Sequence, residues 1–172
     1  MKEMARYGLI LAFICAVASA SLAIVNSITK PKIFAQEKQE EEESLKSVMP
    51  DADNFEPVKS GENILYYKAY KAEKLIGVAL KASGKGYSSD VQTMVGMTKE
   101  GKITTIKILA QNETPGLGAQ VAESFFADRF AQKNIGDLSN IQAITGATIS
   151  SKAVIDSVRK KAQELKALIN ER

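Results

Sequence analysis

Hydrophobic and polar positions along this chain fall into three regimes. From Tyr7 to Val25 the run YGLILAFICAVASASLAIV carries no charge. As an α-helix rising 1.5 Å per residue it is roughly 28 Å long, close to the ~30 Å hydrocarbon core of a bilayer. The pattern predicts a membrane-spanning helix over residues 7–27, preceded by a short N-terminal segment, 1–6. A cleaved signal peptide is the competing reading, because Ala18-Ser19-Ala20 has the small-x-small form of a cleavage site. The run continues through Leu22, Ile24 and Val25, longer than a usual signal core, which favours an uncleaved anchor. Cys15 follows Ala12-Phe13-Ile14, not a lipidation pattern, and is read as a small apolar residue facing lipid or a partner helix.

The second regime, 28–60, is polar and reads as a charged linker or helix. Its stretch QEKQEEEESLK, 36–46, is a solvated face, and Met49-Pro50-Asp51-Ala52-Asp53 interrupts the chain. The third regime, 61–172, alternates strand-like and helical patterns. Ile64–Lys71 and Leu75–Ala82 predict one hairpin, Val91–Thr98 and Ile103–Leu109 a second, joined by Lys99-Glu100-Gly101-Lys102. Ile103, Ile106 and Ile108 do not alternate cleanly, which leaves the buried face of that strand open. Ala119–Phe130 has Val121, Ala122, Phe125, Phe126 and Phe130 at helical spacing. A last helix starts near Ser150 or Ser151 with Val154, Val158, Leu165, Leu168 and Ile169 on one stripe. Lys160, Lys161, Lys166 and Arg172 lie late in it, where the helix dipole favours cations. The sum is an α+β fold: an N-terminal transmembrane helix, then a small antiparallel-sheet domain with packed helices.

Composition narrows the chemistry. Histidine and tryptophan are absent and cysteine occurs once. No His-dependent triad, Cys-His pair or zinc-His site exists, and no internal disulfide or Fe–S motif is available. Redox work by this chain therefore needs a borrowed cofactor. The net charge of +3 resides in residues 1–35, where Lys2, Arg6, Lys30 and Lys32 face only Glu3; the remainder balances at zero. That distribution offers no footprint for nucleic acid. Lys2 and Arg6 weigh toward a cytoplasmic N-terminus and Lys30 and Lys32 against it. Glu113 and Asp128 are not fixed together by the sequence, so a carboxylate-pair hydrolase is not favoured.

The candidate chemistry sits in three loops. Ile144-Thr145-Gly146-Ala147-Thr148-Ile149-Ser150-Ser151 reads as a tight glycine turn leading into a helix. Thr148, Ser150 or Ser151 can cap orphan N–H groups. Capping accounts for one hydroxyl, not for four around Gly146-Ala147; the alternative is an anion, phosphate above all, on the helix start. Asn112-Glu113-Thr114-Pro115-Gly116-Leu117-Gly118 carries a type II turn at Pro115-Gly116, with Gly118 just before a helix. Ser83-Gly84-Lys85-Gly86-Tyr87-Ser88-Ser89 lacks the spacing of a phosphate-binding loop. It reads as a hairpin connection whose Tyr87 stacks on a planar ligand.

The chain resembles the FMN-binding domain family through these loops. The resemblance rests on Thr145-Gly146-Ala147-Thr148 with Ile149–Val154, on Glu113–Gly118, and on Gly86-Tyr87 before the V-x-x-M-V-G-M strand. With the anchor it is similar to the G subunits of Rnf-type electron-transport complexes, whose sister is the C subunit of the sodium-translocating NADH:quinone reductase. The resemblance implies FMN joined through its phosphate to Thr148, with Thr145, Gly146, Ala147, Ser150 and Ser151 around it. It also implies that Glu113, Thr114, Pro115, Gly116, Leu117, Gly118 and Tyr87 lie near the flavin: Glu113 and Thr114 hydrogen-bond the ring and Leu117 covers it. The implied function is an electron relay within an ion-translocating ferredoxin:NAD oxidoreductase, inactive alone. Implied partners are the other membrane subunits, lipid, and a flavin transferase acting outside the cytoplasm, which makes residues 61–172 extracytoplasmic. Gln142 stands where the transferase's target pattern usually has Asp. A subunit of the sister pump, a free-standing flavin carrier, or a non-redox accessory module are the alternatives.

Overall fold

The computed structural model describes residues 2–61 and 63–170. The chain divides into two units, Met1–Glu42 and Glu43–Arg172. The first, in its described residues 2–42, is helical and belongs to α1, Lys2–Val48. Its apolar residues are exposed, Leu9 and Leu22 by more than 70% of their surface. The helix is long and apolar enough to cross a membrane. Its hydroxyls turn back on the backbone, Ser21 Oγ to the Val17 carbonyl and Thr29 Oγ1 to the Val25 carbonyl. Such back-bonding gives a hydroxyl on an apolar helix a partner without water. Pro31 lies inside α1, where the missing N–H leaves one carbonyl outside the ladder.

The second unit is an antiparallel meander in chain order: β1 (Asn54–Ser60), β2 (Asn63–Lys71), β3 (Lys74–Lys85), β4 (Asp90–Thr98) and β5 (Ile103–Ala110). The two hairpins expected from the sequence are present, and β3 with β4 joins them into one sheet. β1 falls where the sequence pattern predicts only linker. Glu56, Pro57 and Lys59 give it that look, and those residues suit an edge strand, where proline and charge block further pairing. The uneven spacing of isoleucines in β5 has a local cause. Met97 pairs with Ile103 and Val95 with Ile106, so Gly96 faces both Thr104 and Thr105 across a bulge. The extra residue returns Ile103 and Ile106 to the same buried face.

Each face of the sheet has its own cover. Val78, Leu80 and Ala82 of β3 and Val91, Val95 and Met97 of β4 pack against α3, Thr148–Asn170, through Val154, Ile155, Val158, Ala162 and Leu165. Helix α3 starts at Thr148, two or three residues before the expected position. The side chains of Leu168 and Ile169, assigned to its stripe, and Arg172 lie outside the described residues. The last turn of α3 holds no basic residue; Lys161 instead pairs with Glu164 at 2.9 Å.

The opposite face carries Tyr67, Ala69, Ala79 and Met94, covered by Leu45, Val48, Met49 and Ala52. The last turns of α1 are thus part of this unit's core, not of a solvated linker reaching to residue 60. Gly96 permits the contact, since a side chain there would collide with Thr104 Oγ1 and the Val48 carbonyl. The helix expected over Ala119–Phe130 is broken. A 3₁₀ turn, Gly118–Ala122, and α2, Ser124–Ala127, are separated by Glu123 in an extended conformation. Phe126 and Phe130 are buried edge to face, centroids 5.4 Å apart, whereas Phe125 is exposed beneath Arg129.

Candidate functional site

Two loops with the same local device meet at the start of α3. In Thr114-Pro115-Gly116-Leu117 the Leu117 N–H donates to the Thr114 carbonyl at 3.1 Å, with Gly116 at φ +75°. In Ile144-Thr145-Gly146-Ala147 the Ala147 N–H donates to the Ile144 carbonyl at 3.0 Å, with Gly146 at φ +81°. Positive φ at the third residue of such a turn is what glycine supplies without strain.

The first helical bond of α3 runs from the Ser151 N–H to the Ala147 carbonyl, 2.9 Å. Ala147 is therefore the capping residue, and alanine has no side chain to cap with. The N–H groups of Thr148, Ile149 and Ser150 precede the ladder and have no acceptor among the described residues. The hydroxyls expected as caps are used elsewhere. Ser151, fully buried, accepts from the Ile144 N–H at 3.0 Å and locks the glycine turn to the helix. Ser150, also buried, donates to Glu113 Oε2. Among the described residues none bonds the Thr148 hydroxyl, and Thr148 is exposed. Simple capping thus does not explain the hydroxyl cluster. It leaves three amide donors and one free hydroxyl at the positive end of a long helix dipole.

Around this point lies a cavity of about 480 Å³, within the ~300–1,000 Å³ range of small-molecule sites. One wall is Gly146 through Ser150, the other Glu113, Thr114, Leu117 and Gly118, with Tyr87 at the rim. Tyr87, Leu117 and Ile149 are large apolar side chains exposed by 72%, 49% and 55%. They offer exposed apolar surface to a ligand in the cavity. Thr145, Pro115, Gly116 and Ser151, all expected near the ligand, do not line the cavity. Pro115 and Gly116 shape the turn, and Ser151 acts from beneath.

Glu113, expected to hydrogen-bond the ligand, does not have free oxygens to do so. It is 5% exposed, and its oxygens accept four protein hydrogen bonds. Oε1 takes the Ser88 and Ser89 N–H groups at 2.9 and 3.0 Å; Oε2 takes the Tyr87 N–H at 3.1 Å and the Ser150 hydroxyl. Burial raises its carboxyl pKa, but the Ser150 hydroxyl and the three amides together outweigh that and hold it below the usual value. Glu113 is therefore an ionised clasp that ties the Tyr87 loop to the start of α3. Gln142, where the resemblance implies Asp, is exposed; its backbone carbonyl accepts from Arg129 at 2.6 Å.

These features are those of a small-molecule and anion site, and the sequence names a ligand class for it: a family described as FMN-binding domain matches residues 86–163. A second family, described as RnfG N-terminal region, matches residues 1–48. The G subunit of the proton-translocating ferredoxin:NAD(+) oxidoreductase complex of Clostridium ljungdahlii is 32% identical, covering 88% of this chain and 85% of that one. The G subunit of the Na(+)-translocating ferredoxin:NAD(+) oxidoreductase complex of Acetobacterium woodii is 35% identical, covering 94% and 91%. The chain belongs to the family of G subunits of Rnf-type ion-translocating oxidoreductase complexes. Its fold is shared with the C subunit of the Na(+)-translocating NADH-quinone reductase of Parabacteroides distasonis, with TM-score 0.50, 20% identity and coverage of 59% of this chain and 60% of that one.

Proposed function

We propose that Thr148 carries FMN as a phosphodiester and that the chain relays electrons among the subunits of an Rnf-type complex. The carrying observation is the helix start itself: an exposed threonine hydroxyl beside three uncapped amides, opening on a cavity with apolar walls. A diester phosphate keeps about one negative charge, which amides and dipole at a helix N-terminus stabilise without Lys or Arg. Thr148 is singled out because Ser150 and Ser151 are buried and engaged, and Thr145 lies outside the cavity. Leu117 and Ile149 shield a ring from water, and Tyr87 closes its edge. Bound FMN supplies the electron chemistry; the chain supplies position, shielding and local potential. A covalent bond suits a relay, because the cofactor stays in place whatever its redox state.

In this reading residues 7–27 span the membrane among lipid and partner subunits, the N-terminus is cytoplasmic, and the cavity-bearing unit lies outside, where a flavin transferase loads it. The test is intact mass and in-gel flavin fluorescence after co-expression with a transferase. Wild type gains the FMN mass and glows in a denaturing gel, whereas Thr148→Ala does neither. A dark wild-type band, with the transferase shown active on another substrate, refutes the covalent assignment.

A further inference from the structure

Charge at the cavity has an unexpected sign. Among its lining residues Glu113 alone is charged. Its carboxylate is buried and bonded to Ser150, two residues along the helix from Thr148, and to the Tyr87 amide at the rim. A lysine or arginine against the phosphate is one common device for capturing a free nucleotide, and none lines this cavity. Here the only attraction is the helix start, equivalent to roughly half a positive charge, and a full negative charge lies behind it.

We propose that Glu113 makes this cavity select flavin by charge: it tolerates the singly charged diester on Thr148 and rejects the doubly charged phosphate of free FMN. The inference rests on the flavin reading above. A phosphate monoester has its second pKa near ~6 and carries almost two charges at neutral pH; esterified to Thr148 it carries about one. The second charge meets a buried carboxylate that lines the same cavity and is bonded to Ser150, in a medium poorer than water, and the repulsion amounts to about tenfold in affinity. Neutral riboflavin, with the same ring and no phosphate, escapes it. Retention of FMN then depends on the covalent bond, and unattached FMN competes about tenfold less well for the cavity before loading.

The test uses the full-length Thr148→Ala chain in detergent, titrated with riboflavin and with FMN by quenching of flavin fluorescence. Riboflavin is expected to bind about tenfold more tightly than FMN at neutral pH. The gap should narrow as the phosphate loses its second charge below about pH 6, where Glu113 stays ionised. Glu113→Gln on the same background should narrow it at neutral pH; because that change disturbs the Tyr87 loop, the pH series stands as an independent measure. FMN binding as tightly as riboflavin, a gap indifferent to pH, or no binding of riboflavin overturns the proposal. Intact mass of the transferase-loaded wild type separates the two ideas. An FMN adduct with the reverse ligand order removes the charge selection alone, and no adduct removes the flavin reading itself.

Discussion

Replacing Gly118 by alanine probes the junction on which the cavity depends. A methyl group there would sit 2.7 Å from Glu113 Oε2 and 2.7 Å from Ser150 Oγ. Both neighbours are buried and neither is the loose end of an exposed side chain. Overpacking of this kind costs about 1–3 kcal/mol. Separating Ser150 from Glu113 forfeits a hydrogen bond to a charged group, about 1.5–3 kcal/mol. The same displacement causes both losses, so they do not add fully. Lower entropy of the unfolded chain returns about 0.4–1 kcal/mol, and the net expectation is about 2–3 kcal/mol of destabilisation. Urea unfolding of the apo chain in detergent, followed by near-ultraviolet circular dichroism of its tyrosines, measures it. Ser150→Ala on the Gly118→Ala background removes one of the two colliding atoms, so the double variant should be more stable than the sum of singles by at least about 1 kcal/mol. A Gly118→Ala loss under about 0.5 kcal/mol, or strict additivity with Ser150→Ala, would falsify the packing argument.

Other residues give sharp expectations. Ser151→Ala strips the acceptor from the buried Ile144 amide and should cost about 1–3 kcal/mol in the same unfolding assay. Thr93 Oγ1 is the buried side-chain oxygen without a partner among the described residues, so Thr93→Val should stabilise the chain by about 1 kcal/mol. Phe126→Ala empties a fully buried ring site and should cost about 3–5 kcal/mol. The folded Glu113 carboxyl lies below its ordinary value of 4.5. Its contribution to stability is complete above that pH and is lost as pH falls through the folded value. The urea midpoint should therefore drop on acidification below about pH 4.5, and less so in Glu113→Gln.

Strands β2 to β5 were legible because β-branched runs and polar turns coincide there. β1 was hidden by Pro57 and two charges, features that mark an edge as readily as a linker. Periodicity misled at Ala119–Phe130: Phe126 and Phe130 are buried, but the backbone breaks at Glu123, which spacing alone does not reveal. At the site, the three loops were recognisable as motifs and do converge on one cavity. What the sequence withheld was the direction of each polar side chain. Four hydroxyls around one glycine look interchangeable until Ser150 and Ser151 are seen facing inward and Thr148 outward. Glu113 is a ligand contact only by what the resemblance implies. Three backbone amides from the β3–β4 connection, about 25 residues away, claim it instead.

The two covers of the sheet stand at opposite ends of the chain, and that sets an order of assembly. Leu45, Val48 and Met49 leave the ribosome before any strand, so one side of the sheet can close as it forms. The other side, with Val78, Leu80, Val95 and Met97, gains Val121, Phe126, Phe130 and Leu138 first and its long helical cover, residues 148–165, only last. Until then part of that face is bare apolar surface of the kind that recruits chaperones or aggregates. Thr148 lies on that last helix, so the cavity it lines comes into being only when the domain closes. Under the flavin attachment proposed above, maturation is thereby coupled to completion: an unfinished or misfolded chain has no cavity to present for loading.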